Sequence, residues 1–225
     1  MIAHLMRSIE MGMSMTIKIL QRLAACASIT LSAILISFSP ASAGAAQQNS
    51  FALGLHMAFA AFQARAALAQ PGVNDNGTHT CSAGEGLLAA EIGAMKQLAA
   101  ALNSLGVSVS MPDYSTHCGA AVNEVDGLEA TRTSISVQIA QQNSSAGSAF
   151  NLGVNLGVAE AQTTAGEPAR QIVLLSLQNA LPQAQALHLD TTILTQCISF
   201  AAGTTPLAEI HSSLISLRSG YQASL

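Results

Sequence analysis

Charged residues are scarce in this chain of 225 residues, and their scarcity excludes several functions. Only 9% of the residues are charged, and Lys96 is the single lysine after Gly44, beside four arginines and eleven acidic residues. Nucleic-acid binding needs clusters of Lys and Arg that neutralise phosphates, and an anionic membrane surface attracts the same clusters. The sequence therefore predicts neither a nucleic-acid partner nor an anionic membrane partner.

Local catalytic motifs are also missing. The chain contains no Gly-x-Ser-x-Gly elbow, no His-Glu-x-x-His, no Cys-x-x-Cys, no c-type haem signature and no phosphate-binding glycine loop. The acidic residues Glu85, Glu129 and Glu167 are explained as helix-capping residues. We therefore expect a non-enzymatic protein without a cofactor. A hydrolase with dispersed Asp and Glu residues is an alternative, because such a site leaves no local motif.

The first 43 residues have the pattern of a secretory signal peptide. Lys18 and Arg22 precede an uncharged stretch, residues 23–38, and Ala41-Ser42-Ala43 then forms a small-x-small cleavage site. The uncharged stretch is shorter than the ~20 residues that span a membrane, so no stable membrane span is expected after cleavage. The protein is predicted to be periplasmic or secreted, from a bacterium.

Two details of this segment have alternatives. The residues before Met13 or Met15 are read as preceding the true start. Leu23-Ala24-Ala25-Cys26 resembles a lipoprotein cleavage box, but its apolar region follows the cysteine instead of preceding it. We therefore favour a cleaved signal peptide over lipidation.

The rest of the chain, residues 44–225, contains an internal resemblance. Residues 51–63 (FALGLHMAFAAFQ) return as residues 150–162 (FNLGVNLGVAEAQ). Ser82-x-x-Glu85 returns as Thr164-x-x-Glu167, and both patterns predict a capping box at a helix start. Apolar residues follow each box at the spacing of an amphipathic helix. The chain is thus interpreted as two tandem helical repeats, one at about 50–142 and one at about 149–225.

The last helix of each repeat is predicted to start at Asp126 and at Thr205, with Pro206 at the first helical position. Short helices are expected within 112–122 and 191–202, the latter starting after Asp190. Residues 141–148 are read as the linker between the repeats. The fold class is therefore all-α, a single domain of six to eight helices.

The two repeats differ in one place. About 17 extra residues separate the first two helices of repeat one, and they fall around 71–80, which has the composition of a loop. Cys81 ends this insertion and has no counterpart in repeat two. A specialised site is therefore expected in this insertion or where the first helices of the two repeats meet.

Small residues four apart occur in the first helix of each repeat. They are Gly54 and Ala58 in repeat one, and Gly153 and Gly157 in repeat two. Because glycine inside a helix costs ~1 kcal/mol relative to alanine, a compensating close contact is expected. One hypothesis is that the two helices cross each other about a pseudo-two-fold axis, and the alternative is that each packs within its own repeat.

The same first helices carry polar residues at equivalent positions, His56 and Asn155. With Gln63 and Gln162 they form a sparse polar stripe. The stripe is read either as a buried polar pocket between the repeats or, more simply, as a hydrogen-bonded or solvent-facing stripe.

Cysteine and histidine provide the remaining chemical candidates. His79, Cys81, His117 and Cys118 could hold zinc or copper, but their spacing is not that of the familiar metal motifs. Three cysteines follow the signal peptide, and in an oxidising compartment one disulfide is expected, for which Cys81 and Cys118 are the favoured pair. The pairings with Cys197 remain open at this stage.

Taken together, these patterns predict an exported, non-enzymatic binding or interaction protein of the bacterial envelope. Its partner would be a protein or an apolar small molecule. A periplasmic protein that handles zinc or copper is the first alternative, and the hydrolase is the second.

Overall fold

A computed structural model describes residues 43–69, 72–75, 78–115 and 125–225 of the chain. The described residues belong to one compact unit, Ser39–Leu225. They form seven α-helices, one 3-10 helix and one small hairpin. The prediction of an all-α fold is confirmed. The predicted signal peptide and the segment around His117 lie outside the described residues.

The elements follow one another in chain order. They are α1 (Ala43–Ala69), β1 (Val73–Asp75), β2 (Thr78–Thr80), α2 (Ala83–Ser104), α3 (Val125–Gln142), α4 (Ser144–Thr163), a 3-10 helix (Glu167–Ala169), α5 (Arg170–Ala186), α6 (Thr192–Ala202) and α7 (Leu207–Ser224).

Helix α2 starts at the capping box that the sequence predicts. The Ser82 hydroxyl accepts from the backbone N–H of Glu85 at 3.2 Å, and the Glu85 carboxylate accepts from the backbone N–H of Ser82 at 2.8 Å. Behind the cap, Leu88, Ile92 and Met95 are fully buried. The predicted start and the predicted apolar face of this helix are therefore confirmed.

The second predicted capping box is wrong. Thr164 ends α4, where its hydroxyl donates to the carbonyl of Ala161 at 2.7 Å, so it is not free to cap the next helix. Glu167 instead begins a 3-10 helix, and the cap position before it is Gly166, which has no side chain to accept a hydrogen bond. The Glu167 carboxylate binds Arg170, with 2.7 Å in the closest contact.

The segment read as a linker is mostly helical, which corrects the interpretation of residues 141–148. Helix α3 runs to Gln142 and α4 begins at Ser144, so only Asn143 lies between them. The Asn143 side chain caps α4 by accepting from the backbone N–H of Ala146 at 2.9 Å. Gly147 then allows close packing, because a Cβ there would lie 2.7 Å from the Cα of Ala140.

Other helix starts differ by small amounts from the expectations. Helix α6 begins at Thr192, whose backbone N–H binds the Asp190 carboxylate at 2.9 Å, as the sequence predicts. Helix α7 is capped at Pro206, one residue after the predicted cap at Thr205. Helix α3 begins at Val125, one residue before the predicted cap at Asp126.

The segments without long helices also depart from the expectations. Residues 112–115 are not helical, and the rest of the predicted short helix lies outside the described residues. The insertion after α1 contains a two-stranded antiparallel hairpin that pairs Val73 with Thr80 and Asp75 with Thr78.

Two clusters of buried side chains hold the fold together, and α1 and α4 contribute to both. The first cluster contains Leu88, Ile92 and Met95 of α2, yet it also includes Phe150 of α4. The second contains side chains of α5, α6 and α7, yet it includes Phe51 of α1. Each phenylalanine therefore lies in the cluster formed mainly by the other half of the chain.

Helix α1 is long and rich in apolar residues. By length and hydropathy alone, Gly44–Ala69 could cross a membrane, with a mean hydropathy of 1.3. In the structure, 67% of the most apolar 18-residue stretch of this helix is buried inside the protein, as expected for a core helix. The buried Met57 belongs to the same core, which agrees with a structural role for this methionine.

Candidate functional site

A polar groove of about 500 Å³ opens on the surface where α3, α4 and α5 meet. Most of its lining comes from two helix faces. The lining residues are Arg132 of α3, then Asn151, Val154, Asn155 and Val158 of α4, then Ser176, Asn179, Pro182 and Gln183 of α5.

The spacing of these residues explains how one surface collects them. Asn151 and Asn155 are four residues apart on α4, and so are Asn179 and Gln183 on α5. Residues four apart lie on the same face of a helix, one turn above the other. The groove is therefore bordered by two rows of carboxamide side chains.

Internal hydrogen bonds orient the α4 row. The Asn155 side-chain nitrogen donates to the backbone carbonyl of Asn151 at 2.9 Å. The Asn151 side-chain oxygen accepts from the hydroxyl of Ser136 at 2.9 Å. These bonds use the donor end of Asn155 and the acceptor end of Asn151, and they hold both carboxamides in place.

Arg132 is the one charged residue among the nine that line the groove. Its side chain is about one-third exposed, and its nearest carboxylate oxygen belongs to Glu129, one turn earlier, at 3.7 Å. The other oxygen of Glu129 lies 3.2 Å from Arg65 of α1. A contact of 3.7 Å is too long for a strong charge-assisted hydrogen bond, so the guanidinium keeps donors for a ligand.

The candidate small residues of the first helices lie where α1 and α4 cross. A Cβ at Gly54 would overlap the backbone carbonyl oxygen of Phe150, and a Cβ at Gly153 would overlap that of Phe51. A Cβ at Gly157 would lie 2.8 Å from the Cβ of Ala58. The two helices thus touch backbone to backbone, and the two glycine contacts are reciprocal.

The polar candidates of the same helices have different surroundings. His56 pairs with Glu91 of α2, with 2.6 Å between Nδ1 and Oε2, and its side chain is 22% exposed. Asn155 lines the groove beside α5. Gln63 is buried and Gln162 is half-buried. His56 thus satisfies the otherwise buried carboxylate of Glu91, which is a structural role.

A buried polar cluster that sequence reasoning missed connects α1, α4 and α7. Oε1 of Glu160 lies 3.0 Å from Nη1 of Arg218, and both side chains are buried. The Arg218 guanidinium also lies 6.0 Å from the ring centre of Phe59. Oε2 of Glu160 is buried without a hydrogen-bond partner. Burial raises the pKa of Glu160, and the charge of Arg218 opposes this shift.

His211 extends this cluster on α7. The Thr163 hydroxyl donates to the backbone carbonyl of Glu160 at 2.6 Å and lies 2.7 Å from Nδ1 of His211. Since the hydroxyl hydrogen is already used, Nδ1 of His211 is the donor in this contact. Burial lowers the pKa of His211; a hydrogen bond with the backbone of Glu160 opposes this shift, and the nearby charge of Arg218 adds to it. The signal in the sequence was a pair of charges, Glu160 and Arg218, within apolar stretches.

The metal candidates are only partly visible. His117 and Cys118 lie outside the described residues, and so does the side chain of His79. Cys81 is exposed at the end of the hairpin. Within the described part of the chain, no three His, Cys, Asp or Glu residues are grouped so that they could hold a metal ion. The four-residue metal site stays a prediction.

The cysteine arrangement narrows the disulfide alternatives. Cys197 is buried in the second core cluster as a free thiol, and burial raises its pKa. Because its thiol is free, Cys197 takes no part in a disulfide in this structure. The pairing of Cys81 with Cys118 is what remains, and it stays a prediction.

Comparisons with known proteins find no relative. No protein-family model matches the chain, and no curated protein or solved structure matches it. The chemistry of the groove must therefore carry any functional conclusion.

Proposed function

We propose that this chain is an exported, non-enzymatic binding protein of the bacterial envelope and that the groove between α3, α4 and α5 is its binding site. The observation that carries the proposal is the groove itself. Three helices contribute side chains to one surface depression, and its volume of about 500 Å³ lies within the range of small-molecule sites.

The lining favours binding over catalysis. Of the nine lining residues, six are polar, and none is a histidine, a cysteine or a carboxylate. General acid–base catalysis draws on those side chains above all, and a serine nucleophile such as Ser176 needs one of them as its base, which the nine lining residues do not supply. Carboxamides and a hydroxyl form hydrogen bonds at any physiological pH, which suits recognition of a polar ligand.

Export and the compartment rest on the sequence pattern of residues 1–43. Cys197 is a free, buried thiol, which leaves Cys81 and Cys118 for the one disulfide expected in an oxidising compartment. Amino-terminal sequencing of the protein from a periplasmic fraction tests this part, and the expected first residue is Gly44. A retained amino terminus would contradict cleavage at this site.

We also propose that the domain is a tandem duplication in which α1, α2 and α3 correspond to α4, α5 and α7. The reciprocal contacts of Gly54 with Phe150 and of Gly153 with Phe51 support a pseudo-two-fold relation. The groove departs from this relation, because Asn151 and Asn155 take the places of Ala52 and His56. The binding site would then belong to one repeat only.

Binding at the groove can be tested with a small-molecule extract of periplasm, filtered to remove proteins and added to isotope-labelled protein. Amide resonances of α3, α4 and α5 are expected to shift. Asn179→Phe places a ring on the groove and should abolish the shifts. Gln178→Phe changes the neighbouring exposed residue, which does not line the groove, and should preserve them. Absence of shifts in these three helices would contradict the proposal.

A further inference from the structure

The charge pattern of the groove restricts which ligands it can hold. Among the described residues that line the groove, Arg132 supplies a single positive charge and none is a carboxylate. A cationic ligand would find no counter-charge there, and a polyphosphate would find only one cation. The groove is therefore suited to a ligand with one negative charge.

The geometry of arginine favours a carboxylate as that charge. A guanidinium is planar and can form two parallel hydrogen bonds to one carboxylate. Its present partner, Glu129, is 3.7 Å away and is shared with Arg65. A ligand carboxylate in bidentate contact with Arg132 would therefore interact with the guanidinium more strongly than Glu129 does.

The two carboxamide rows indicate what the rest of the ligand contains. Asn151 and Asn155 border the groove on α4, and Asn179 and Gln183 border it on α5. Each carboxamide has a donor end and an acceptor end, which match the carbonyl and the N–H of a peptide group. The internal bonds of the α4 row leave the Asn155 oxygen and the Asn151 nitrogen for such a partner.

The remaining lining residues exclude other polar ligands. No aromatic side chain is among the described residues that line the groove, so neither a nucleobase nor the face of a sugar ring has an aromatic stacking partner there. Val154, Val158 and Pro182 are the apolar lining residues. They offer contact for small aliphatic side chains only.

We infer that the groove binds a short peptide, with the carboxylate of its C-terminus on Arg132 and its peptide groups on the carboxamides of α4 and α5. This inference rests on the proposed function, because it names the ligand class of the same site. It assigns Arg132 the role of selecting a free C-terminus. Asn151, Asn155, Asn179 and Gln183 recognise the main chain and not particular side chains.

Isothermal titration calorimetry with N-acetyltrialanine and with its C-terminal carboxamide tests the inference, because the acetyl group removes the N-terminal positive charge. The wild-type protein is expected to bind the free acid about tenfold or more tightly than the carboxamide, since the carboxamide cannot make the charge-assisted bidentate contact. Arg132→Gln should bind the two peptides equally. Arg65→Gln is the matched control, because Arg65 also contacts Glu129 but does not line the groove, and it should keep the wild-type preference.

The outcomes separate the inference from the proposed function. Equal affinity of the wild-type protein for the two peptides would overturn the role of Arg132. If neither peptide binds while the periplasmic extract still shifts the resonances of α3, α4 and α5, the peptide class is wrong and the binding site stands. If neither peptide nor extract has an effect at the groove, both proposals fall.

Discussion

Glu160 and Arg218 form an ion pair inside the protein, with 3.0 Å between Oε1 and Nη1, and their side chains are only 3% and 10% exposed. Glu160 belongs to α4 and Arg218 to α7, so the pair fixes the last helix to the centre of the fold. Removing one partner of such a pair leaves a buried charge without compensation.

Single replacements of this pair should therefore destabilise strongly. Glu160→Leu or Arg218→Met is expected to lower the free energy of unfolding by about 3–5 kcal/mol. The double variant should lose much less than the sum, because no buried charge remains. Chemical denaturation measures all three. Asp113→Ala, which removes an exposed partner of Lys96, should change little, and additive losses in the double variant would contradict this reasoning.

His211 should make stability depend on pH. Burial lowers its pKa, so the folded state binds fewer protons than the unfolded state when the pH falls below the ordinary histidine value of about 6.5. The free energy of unfolding of the wild-type protein should therefore decline relative to that of His211→Gln between about pH 7 and pH 5.

The variant must be compared with the wild type at each pH, because Glu160 changes the stability with pH in the direction opposite to His211. Its raised pKa means that the folded state takes up a proton first, which favours folding as the pH falls. His188→Asn provides the control, since it removes an exposed histidine from another part of the surface. If the free energy of unfolding varied with pH in the same way for the wild type and for His211→Gln, the role assigned to His211 in the pH dependence would be refuted.

The crossing of α1 and α4 should not accept a side chain at Gly153. Gly153→Ala places a Cβ on the carbonyl oxygen of Phe51, and the expected loss is about 1–3 kcal/mol or more, since backbone cannot move aside like a flexible side chain. Gly93→Ala is the matched control in α2. Its Cβ would meet nothing within 4 Å, so a gain of about 0.5–1 kcal/mol is expected. Similar melting temperatures for the two variants would contradict the close contact.

The cysteines should behave as one disulfide and one buried thiol. When unreduced protein is denatured and alkylated, Cys197 should be the labelled member of Cys81, Cys118 and Cys197, and reduction should expose all three. Closing a loop of just under 40 residues should contribute about 3–4 kcal/mol, which reduction would remove. Labelling of Cys81 and Cys118 without reduction would show that they are not paired.

Much of the fold could be predicted because its signals are local. The capping box at Ser82 and the Asp190 carboxylate, which accepts from the backbone N–H of Thr192, specify helix starts from a few neighbouring residues. The hairpin was missed although Asn76-Gly77, the strongest two-residue hairpin signal, lies between its strands. Asn143 was also overlooked, because the serine-rich stretch after it has the composition of a loop.

The site was harder to predict because its residues are distant in sequence. Asn155 stands out in the sequence by its correspondence with His56, but Arg132 and Asn179 carry no signal of their own, and only the packing of α3, α4 and α5 collects the three residues. The pair of Glu160 and Arg218 is separated by 58 residues, so no local spacing connects the two. Small residues such as Gly54 did indicate a close contact, but the sequence left open whether the approaching helix belongs to the same repeat or to the other one.

The exchange of Phe51 and Phe150 between the two core clusters has a consequence for how the chain folds as it is made. Most residues of the first cluster emerge before α4, so this cluster stays incomplete until Ala146, Phe150 and Val154 have followed. Phe51, in turn, remains without its neighbours until α5, α6 and α7 have appeared. The first half of the chain therefore keeps apolar side chains exposed until the second half has been synthesised. The two clusters should then form together in one cooperative step.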